Sequence, residues 1–230
     1  MLDTSRHNQI FDPSTFPHSV SIIGCGGMGS RVAEGLARMG VGIHRQSPIH
    51  LYDADSFEGH NIANQWIDSS AVGVNKAQQV SANMKALNPK CAVYPHNEMV
   101  VEQIAMRGVV FICVDSMVAR RKIMEEVIEK NYKIHCVIET RMDAQTGISH
   151  CFDPFNQKQN ECWWLYWHSD SEAEHIGGCS APQSIISAIY GTTMLALKQL
   201  EQFARTRNTL EMSNRVFMDF DTYKLRTEQW

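Results

Sequence analysis

The stretch SIIGCGGMGSRVAEGLARMG, residues 21–40, leaves a chain few ways to fold. A short apolar run ends in glycines, and an amphipathic segment follows. Val32, Ala33, Leu36, Ala37 and Met39 share one face of that segment, and Gly40 is placed to stop it. Gly24, Gly26 and Gly29 stand in G-x-G-x-x-G spacing between strand and helix, with Gly27 beside them. This spacing permits a tight turn, lets backbone approach a phosphate, and aims helix-terminal amides at negative charge. The turn alone does not say whether the phosphate belongs to a dinucleotide or to ATP. Tight strand–helix packing without a ligand would use the same glycines.

From the turn to about residue 140 the pattern alternates. Strands are expected at 19–23, 48–53, 92–95, 109–114 and 133–139, with helices at 75–87 and 117–130 between them. Such alternation implies βαβ units in a parallel, doubly wound sheet, whose ligands bind beyond the carboxyl ends of the strands. The glycine turn, Asp53 and Asp115 all fall at such ends. After residue 140 one more strand is expected at 147–154, then an irregular aromatic loop at 153–180. A helix at 183–203, with Ile186, Ile189, Tyr190, Thr193 and Leu197 on a face, and an edge strand in the tail at 214–225 complete the reading.

Several function classes are disfavoured by composition. With 21 Lys and Arg against 25 Asp and Glu, there is no basic footprint for nucleic acid or an anionic membrane. No apolar run approaches the ~18–20 residues that span a bilayer, and the first residues lack the apolar core of a secretory leader, so a cytoplasmic protein is expected. The seven cysteines form no C-x-x-C pair, and several lie in apolar strands, where cysteine acts as a small hydrophobe.

Six blocks in order, GCGGMGS (24–30), DAD (53–55), NIANQ (61–65), GVNKA (73–77), NP (88–89) and DSMVAR (115–120), resemble the E1-like superfamily of ThiF/MoeB/HesA adenylating enzymes. The resemblance implies one domain over residues 1–230, with a nucleotide-binding half at about 19–140. Its fold would be a Rossmann-like doubly wound sheet, parallel in the N-terminal half and antiparallel in the C-terminal strands. It also implies ATP-dependent adenylation of the C-terminal carboxylate of a small ubiquitin-like or sulfur-carrier protein, or a peptide, by a homodimer. Carried over to this chain, Asp53 with Asp55 would hold the ribose. Asn61, Gln65 and the intervening Asn64 would face phosphate, Lys76 would neutralise it, and Asp115 would hold Mg²⁺. Each also has a plainer reading: loop capping for Asn61 and Gln65, a solvated first-turn lysine for Lys76, a helix cap for Asp115.

The chain departs from the family pattern in three places. Asn64 stands where the family carries an arginine in N-x-x-R-Q, and Asn8 stands where its N-terminal arm carries another. Arg6, two residues away, and Arg120, one helical turn past Asp115, are the expected replacements. The paired zinc cysteines are missing, since the partner position of Cys162 is Leu165, so no zinc is expected. Cys179, before the last helix, is a candidate nucleophile toward an acyl-adenylate or a structural cysteine. Phe155, Trp163, Trp164, Tyr166 and Trp167 either mark a partner or homodimer surface or cover the sheet. Two other functions compete: a catalytically impaired E1-like binding subunit, and an NAD(P)-dependent oxidoreductase.

Overall fold

A computed structural model describes residues 2–44, 47–100, 104–170 and 185–230. Eight strands form one sheet in the order β3-β2-β1-β4-β5-β6-β7-β8. They are β1 (Val20–Ile23), β2 (Ile49–Tyr52), β3 (Val93–His96), β4 (Gly108–Ile112), β5 (Ile134–Met142), β6 (Thr146–Phe152), β7 (Arg215–Asp219) and β8 (Lys224–Glu228). The first five run parallel, and β6, β7 and β8 continue the sheet antiparallel. The expected parallel half with antiparallel C-terminal strands is therefore what the chain forms. Strand order reverses between β1 and β4, which opens a crevice beyond their carboxyl ends.

Alternation along the central strands assigns each residue to one of two cores. Val20 and Ile22 of β1, with Val109 and Phe111 of β4, pack on one face against α1 (Gly27–Met39), α2 (Lys76–Leu87) and α5 (Ile186–Thr206). Ile23, Val110 and Ile112 pack on the other against α3 (Met117–Ile123) and α4 (Gln157–Leu165). Helix α1 buries the expected Val32, Ala33, Leu36 and Ala37. It ends at Gly40, whose φ of 84° is left-handed and whose amide returns to the carbonyls of Ala37 and Leu36.

The C-terminal third departs from expectation. Residues 153–170 are not an irregular loop: Asn156 caps α4 by accepting the Gln159 amide, and residues 171–184 lie outside the described part. The aromatic cluster covers the sheet. Trp163 is fully buried, and Phe155, Trp164, Tyr166 and Trp167 pack around the same core. Burying apolar rings outweighs exposing them, and polar edges find partners as well: Trp164 Nε1 donates to Glu129 at 2.9 Å and Trp167 Nε1 to the Met117 carbonyl at 3.1 Å. Tyr190 leaves the expected face of α5 and stands half exposed under Arg31, whose guanidinium carbon lies 5.0 Å from its ring. The helix expected at 117–130 relaxes into a π turn at Met124–Ile128. The tail is a two-strand hairpin, not one strand, and it ends with Trp230 buried against Phe152 and His150.

Candidate functional site

A cleft of about 710 Å³ lies beyond the carboxyl ends of β1, β2, β4 and β5, within the size range of small-molecule sites. Its floor is the glycine turn. Gly24 has φ +88°, and a Cβ there would meet the Cys113 carbonyl at 2.9 Å, so the turn is pressed against the end of β4. A Cβ on Gly29 would lie 1.8 Å from the Gly24 oxygen, so α1 seats directly on the turn. Gly26 differs, because among the described residues a Cβ there would meet only Gln65 Nε2, at 4.0 Å. Gly26 is the N-cap of α1, with no side-chain cap and no acid in the first turn. Among the described residues no side chain caps the first amides of this 13-residue helix, and an anion in the cleft would satisfy them. Gly27 begins the helix against Ile189 of α5.

The second wall is tied to the first by carboxylate–amide bonds. Asp53 accepts the Cys25 amide at 2.7 Å on one oxygen and the Asp55 amide at 2.9 Å on the other. Burial pushes its pKa up, and the two amides only partly oppose this. Both bonds leave lone pairs for a hydroxyl at the cleft wall. Lys76 opens α2 and pairs with Asp55 at 3.0 Å, so the expected phosphate cation arrives with a carboxylate partner. Asn75, which sequence reading overlooked, holds this corner together. Its Oδ1 caps α2 through the Gln78 amide, and its Nδ2 donates to the carbonyls of Asp53 and Asp55 and to Asn97. The signal was available as an N-cap residue just before a helix.

The N-I-A-N-Q loop divides by function. Asn61 is buried in a capping box with Glu58, accepting the Glu58 amide at 2.9 Å, and does not line the cleft. This is the plainer reading. Asn64 and Gln65 do line it. Gln65 is buried, and its Oε1 meets no donor among the described residues, which leaves an acceptor for a ligand or water in the cleft.

On the far wall, Asp115, three residues past the end of β4, is exposed and lines the cleft. It does not cap α3. Ser116 does, accepting the Ala119 amide on Oγ at 3.2 Å, while Asp170 accepts the Met117 amide at 2.6 Å and the Ser116 hydroxyl at 3.1 Å. Structural capping thus falls to Ser116 and Asp170, leaving the Asp115 carboxylate at the cleft. Arg120 also lines the cleft, but its guanidinium is engaged below the surface by Glu139 and the Val114 carbonyl. Lys122, not foreseen from the sequence, contributes a further cation to the lining.

Arg6 is not brought to this cleft. His7 contacts the Met39 carbonyl at 3.3 Å and Thr4 lies beside Gly40. That places the arm at the opposite end of α1, about 20 Å away for a helix of this length. Cys179 lies outside the described residues. Among the described residues no group of three or more His, Cys, Asp or Glu could hold a metal. Of the four carboxylates lining the cleft, Asp53 accepts two amides, Asp55 pairs with Lys76 and Glu98 lies 3.7 Å from His96, which leaves Asp115 as the one without a partner among the described residues. That donor set suits Mg²⁺, which keeps waters and binds chiefly through phosphate and one or two carboxylates.

Comparison with known proteins bears on the family and the fold. The model of the ThiF family matches residues 16–229. The chain is 27% identical over 191 residues to an adenylyltransferase and sulfurtransferase MOCS3 of Drosophila sechellia, covering 80% of this chain and 40% of that protein. It is 33% identical over 107 residues to a Nedd8-activating enzyme E1 catalytic subunit of Drosophila melanogaster, covering 44% of this chain and 23% of that one. This chain thus spans well under half the length of these curated relatives. Among solved structures, E. coli MccB with AMPCPP and MccA superposes with a TM-score of 0.68 at 18% identity, over 94% of this chain and 65% of that one. PaaA superposes with a TM-score of 0.67 at 16% identity, over 99% and 78%. At these identities the structural matches speak for the fold.

Proposed function

This chain belongs to the ThiF family, and from that premise we propose that it is an ATP-dependent adenylyltransferase acting on the C-terminal carboxylate of a small ubiquitin-like or sulfur-carrier protein, or of a peptide. The observation that carries the reading is the pairing of two features across one cleft. An uncapped helix N-terminus sits on the open side of Gly26, and a carboxylate, Asp115, is relieved of capping duty by Ser116.

In this reading the ATP phosphates lie over Gly26 and Gly27, where the α1 amides and Lys76 balance their charge. The lone pairs left on Asp53 take the ribose hydroxyls, and Gln65 Oε1 accepts a donor from the ligand. Asp115 would hold Mg²⁺, which would supply charge stabilisation of the leaving group. The substrate carboxylate enters from the Thr140, Met142 and Ile189 side, attacks the α-phosphorus, and forms an acyl-adenylate as the bond to pyrophosphate breaks. Positioning and electrostatics carry the catalysis, with no covalent help from the protein at this step. Any contribution of Arg6 comes from a second copy in a homodimer, given its place at the far end of α1.

ATP–pyrophosphate exchange with candidate carboxyl-terminal peptides tests the reading, together with calorimetry of ATP against NAD⁺. Binding of NAD⁺ without ATP would refute it. Asn64, at the cleft where the family carries an arginine, favours one second reading, a binding subunit with impaired catalysis. Tight Mg²⁺-dependent ATP binding with no exchange toward any partner would select it.

A further inference from the structure

Glu139 is fully buried on β5, immediately before Thr140 of the cleft lining. Four hydrogen-bonding contacts converge on its carboxylate. Oε1 accepts from Arg120 and from Arg141 Nε at 2.8 Å, and Oε2 faces Arg141 Nε at 3.1 Å and His150 Nδ1 at 2.6 Å. Burial would favour the protonated acid, but the two guanidiniums hold its pKa well below the usual carboxylate range. A carboxylate in this setting fixes its partners, because removing it would leave buried guanidinium charge uncompensated.

What Arg120 does with the rest of its guanidinium gives the cluster a direction. Its second terminal nitrogen donates to the carbonyl of Val114, the residue immediately before Asp115. The neighbouring Cys113 carbonyl is the atom against which the glycine turn is pressed at Gly24. Glu139, Arg120, the Val114 carbonyl and the Asp115 turn therefore form one continuous bonded path from the interior of the sheet to the cleft. Arg141 braces the other side, donating from Nη1 to the Tyr166 carbonyl at 2.6 Å.

We propose that Glu139 is a positioning residue for Asp115, acting through Arg120 and the Val114 carbonyl to aim the carboxylate that receives Mg²⁺. The proposal rests on the reading of the cleft as a Mg²⁺–ATP site. It explains why an arginine one helical turn past Asp115 is turned into the protein instead of out to the phosphates. Arg120 then serves the site by holding the strand end.

The test is the Mg²⁺ concentration that half-saturates ATP binding, read by calorimetry on the full chain, with near-UV circular dichroism to confirm the fold. Glu139→Gln keeps the shape and one acceptor but removes the charge. Arg120→Lys keeps a charge but loses the two-pronged grip, and it carries the test should Glu139→Gln not fold. Each is expected to raise the half-saturating Mg²⁺ about tenfold, in line with supporting residues behind metal ligands. ATP binding without metal should stay within about twofold of wild type. On an Asp115→Asn background neither change should have a further effect, because the path ends at Asp115. A folded variant with wild-type Mg²⁺ dependence overturns the proposal, as does an undiminished effect in the Asp115→Asn background. Wild-type protein that binds no ATP at any Mg²⁺ concentration overturns the functional reading itself, and the proposal with it.

Discussion

The carboxylate of Asp53, at the end of β2, accepts the amide of Cys25 from inside the glycine turn at 2.7 Å. One residue thereby joins two neighbouring strand ends and sets the floor of the cleft against its wall. Asp53→Asn would leave one amide facing another. A cost of about 1–3 kcal/mol follows from an unpaired buried donor, with weaker ATP binding because the turn loosens. Urea unfolding and calorimetry of the same variant check both halves.

Two glycines of the turn separate stability from binding. Gly29→Ala places a Cβ 1.8 Å from the Gly24 oxygen, and backbone must move to admit it. The expected loss is about 3 kcal/mol, the upper end of overpacking costs, seen as a lower urea midpoint at unchanged slope. Gly26→Ala meets nothing closer than 4.0 Å among the described residues. It should fold with wild-type stability to within about 1 kcal/mol while weakening ATP binding severalfold, since the methyl group projects where phosphate must approach.

The parallel half of the fold was legible because its strands are continuous apolar runs and its helices carry one apolar stripe each. Val32, Ala33, Leu36 and Ala37 face the core as the 3.6-residue period requires. The segment around Trp163 was not legible. Its residues have no clear stripe, because α4 buries Trp163 fully and Trp164 partly, and the Trp164 Nε1 edge finds a carboxylate across the fold. In the site, spacing placed Gly26, Gln65, Lys76 and Asp115 around one cleft. It could not show that Asn61 turns into its own loop, or that Arg120 of α3 is claimed by Glu139, a residue 19 positions away on β5. Local pattern finds where the backbone delivers a side chain, whereas long-range charge pairing decides which way it points.

Stability should fall with acid well before carboxylates protonate. His150 is held to about 4 by burial, against its ordinary 6.5, with Arg141 and Arg215 opposing its charge and Glu139 favouring it. His18 is likewise lowered to about 4 by burial, with His135 and Arg207 adding to the effect. Both are neutral when folded, and the unfolded chain takes up their protons first. Their contribution is complete above pH 6.5 and is lost as pH falls from 6.5 toward 4. Glu139, with its pKa depressed, adds a further loss that begins as pH falls into the ordinary carboxylate range, where the unfolded chain takes up its proton first. The urea midpoint should decline from pH 7 to pH 5, and His18→Gln should flatten that decline. A midpoint constant over this range would contradict the assignment.

Asp115 and Ser116 are adjacent, and their substitutions should have opposite signatures. Ser116 Oγ accepts the Ala119 amide at 3.2 Å and donates to Asp170 at 3.1 Å, so Ser116→Ala removes the cap of α3. The cost should be about 1 kcal/mol of stability, as for other lost caps, with Asp115 still delivered to the cleft and Mg²⁺-dependent ATP binding retained. Asp115 makes no such bond to the helix and is exposed. Asp115→Asn should unfold at the wild-type urea concentration and lose the Mg²⁺ dependence of ATP binding. With it should go pyrophosphate exchange, because a neutral amide offers the cation no charge. The reverse pattern, a destabilised Asp115→Asn that still responds to Mg²⁺, would return Asp115 to the role of a helix cap and remove the metal from this wall of the cleft.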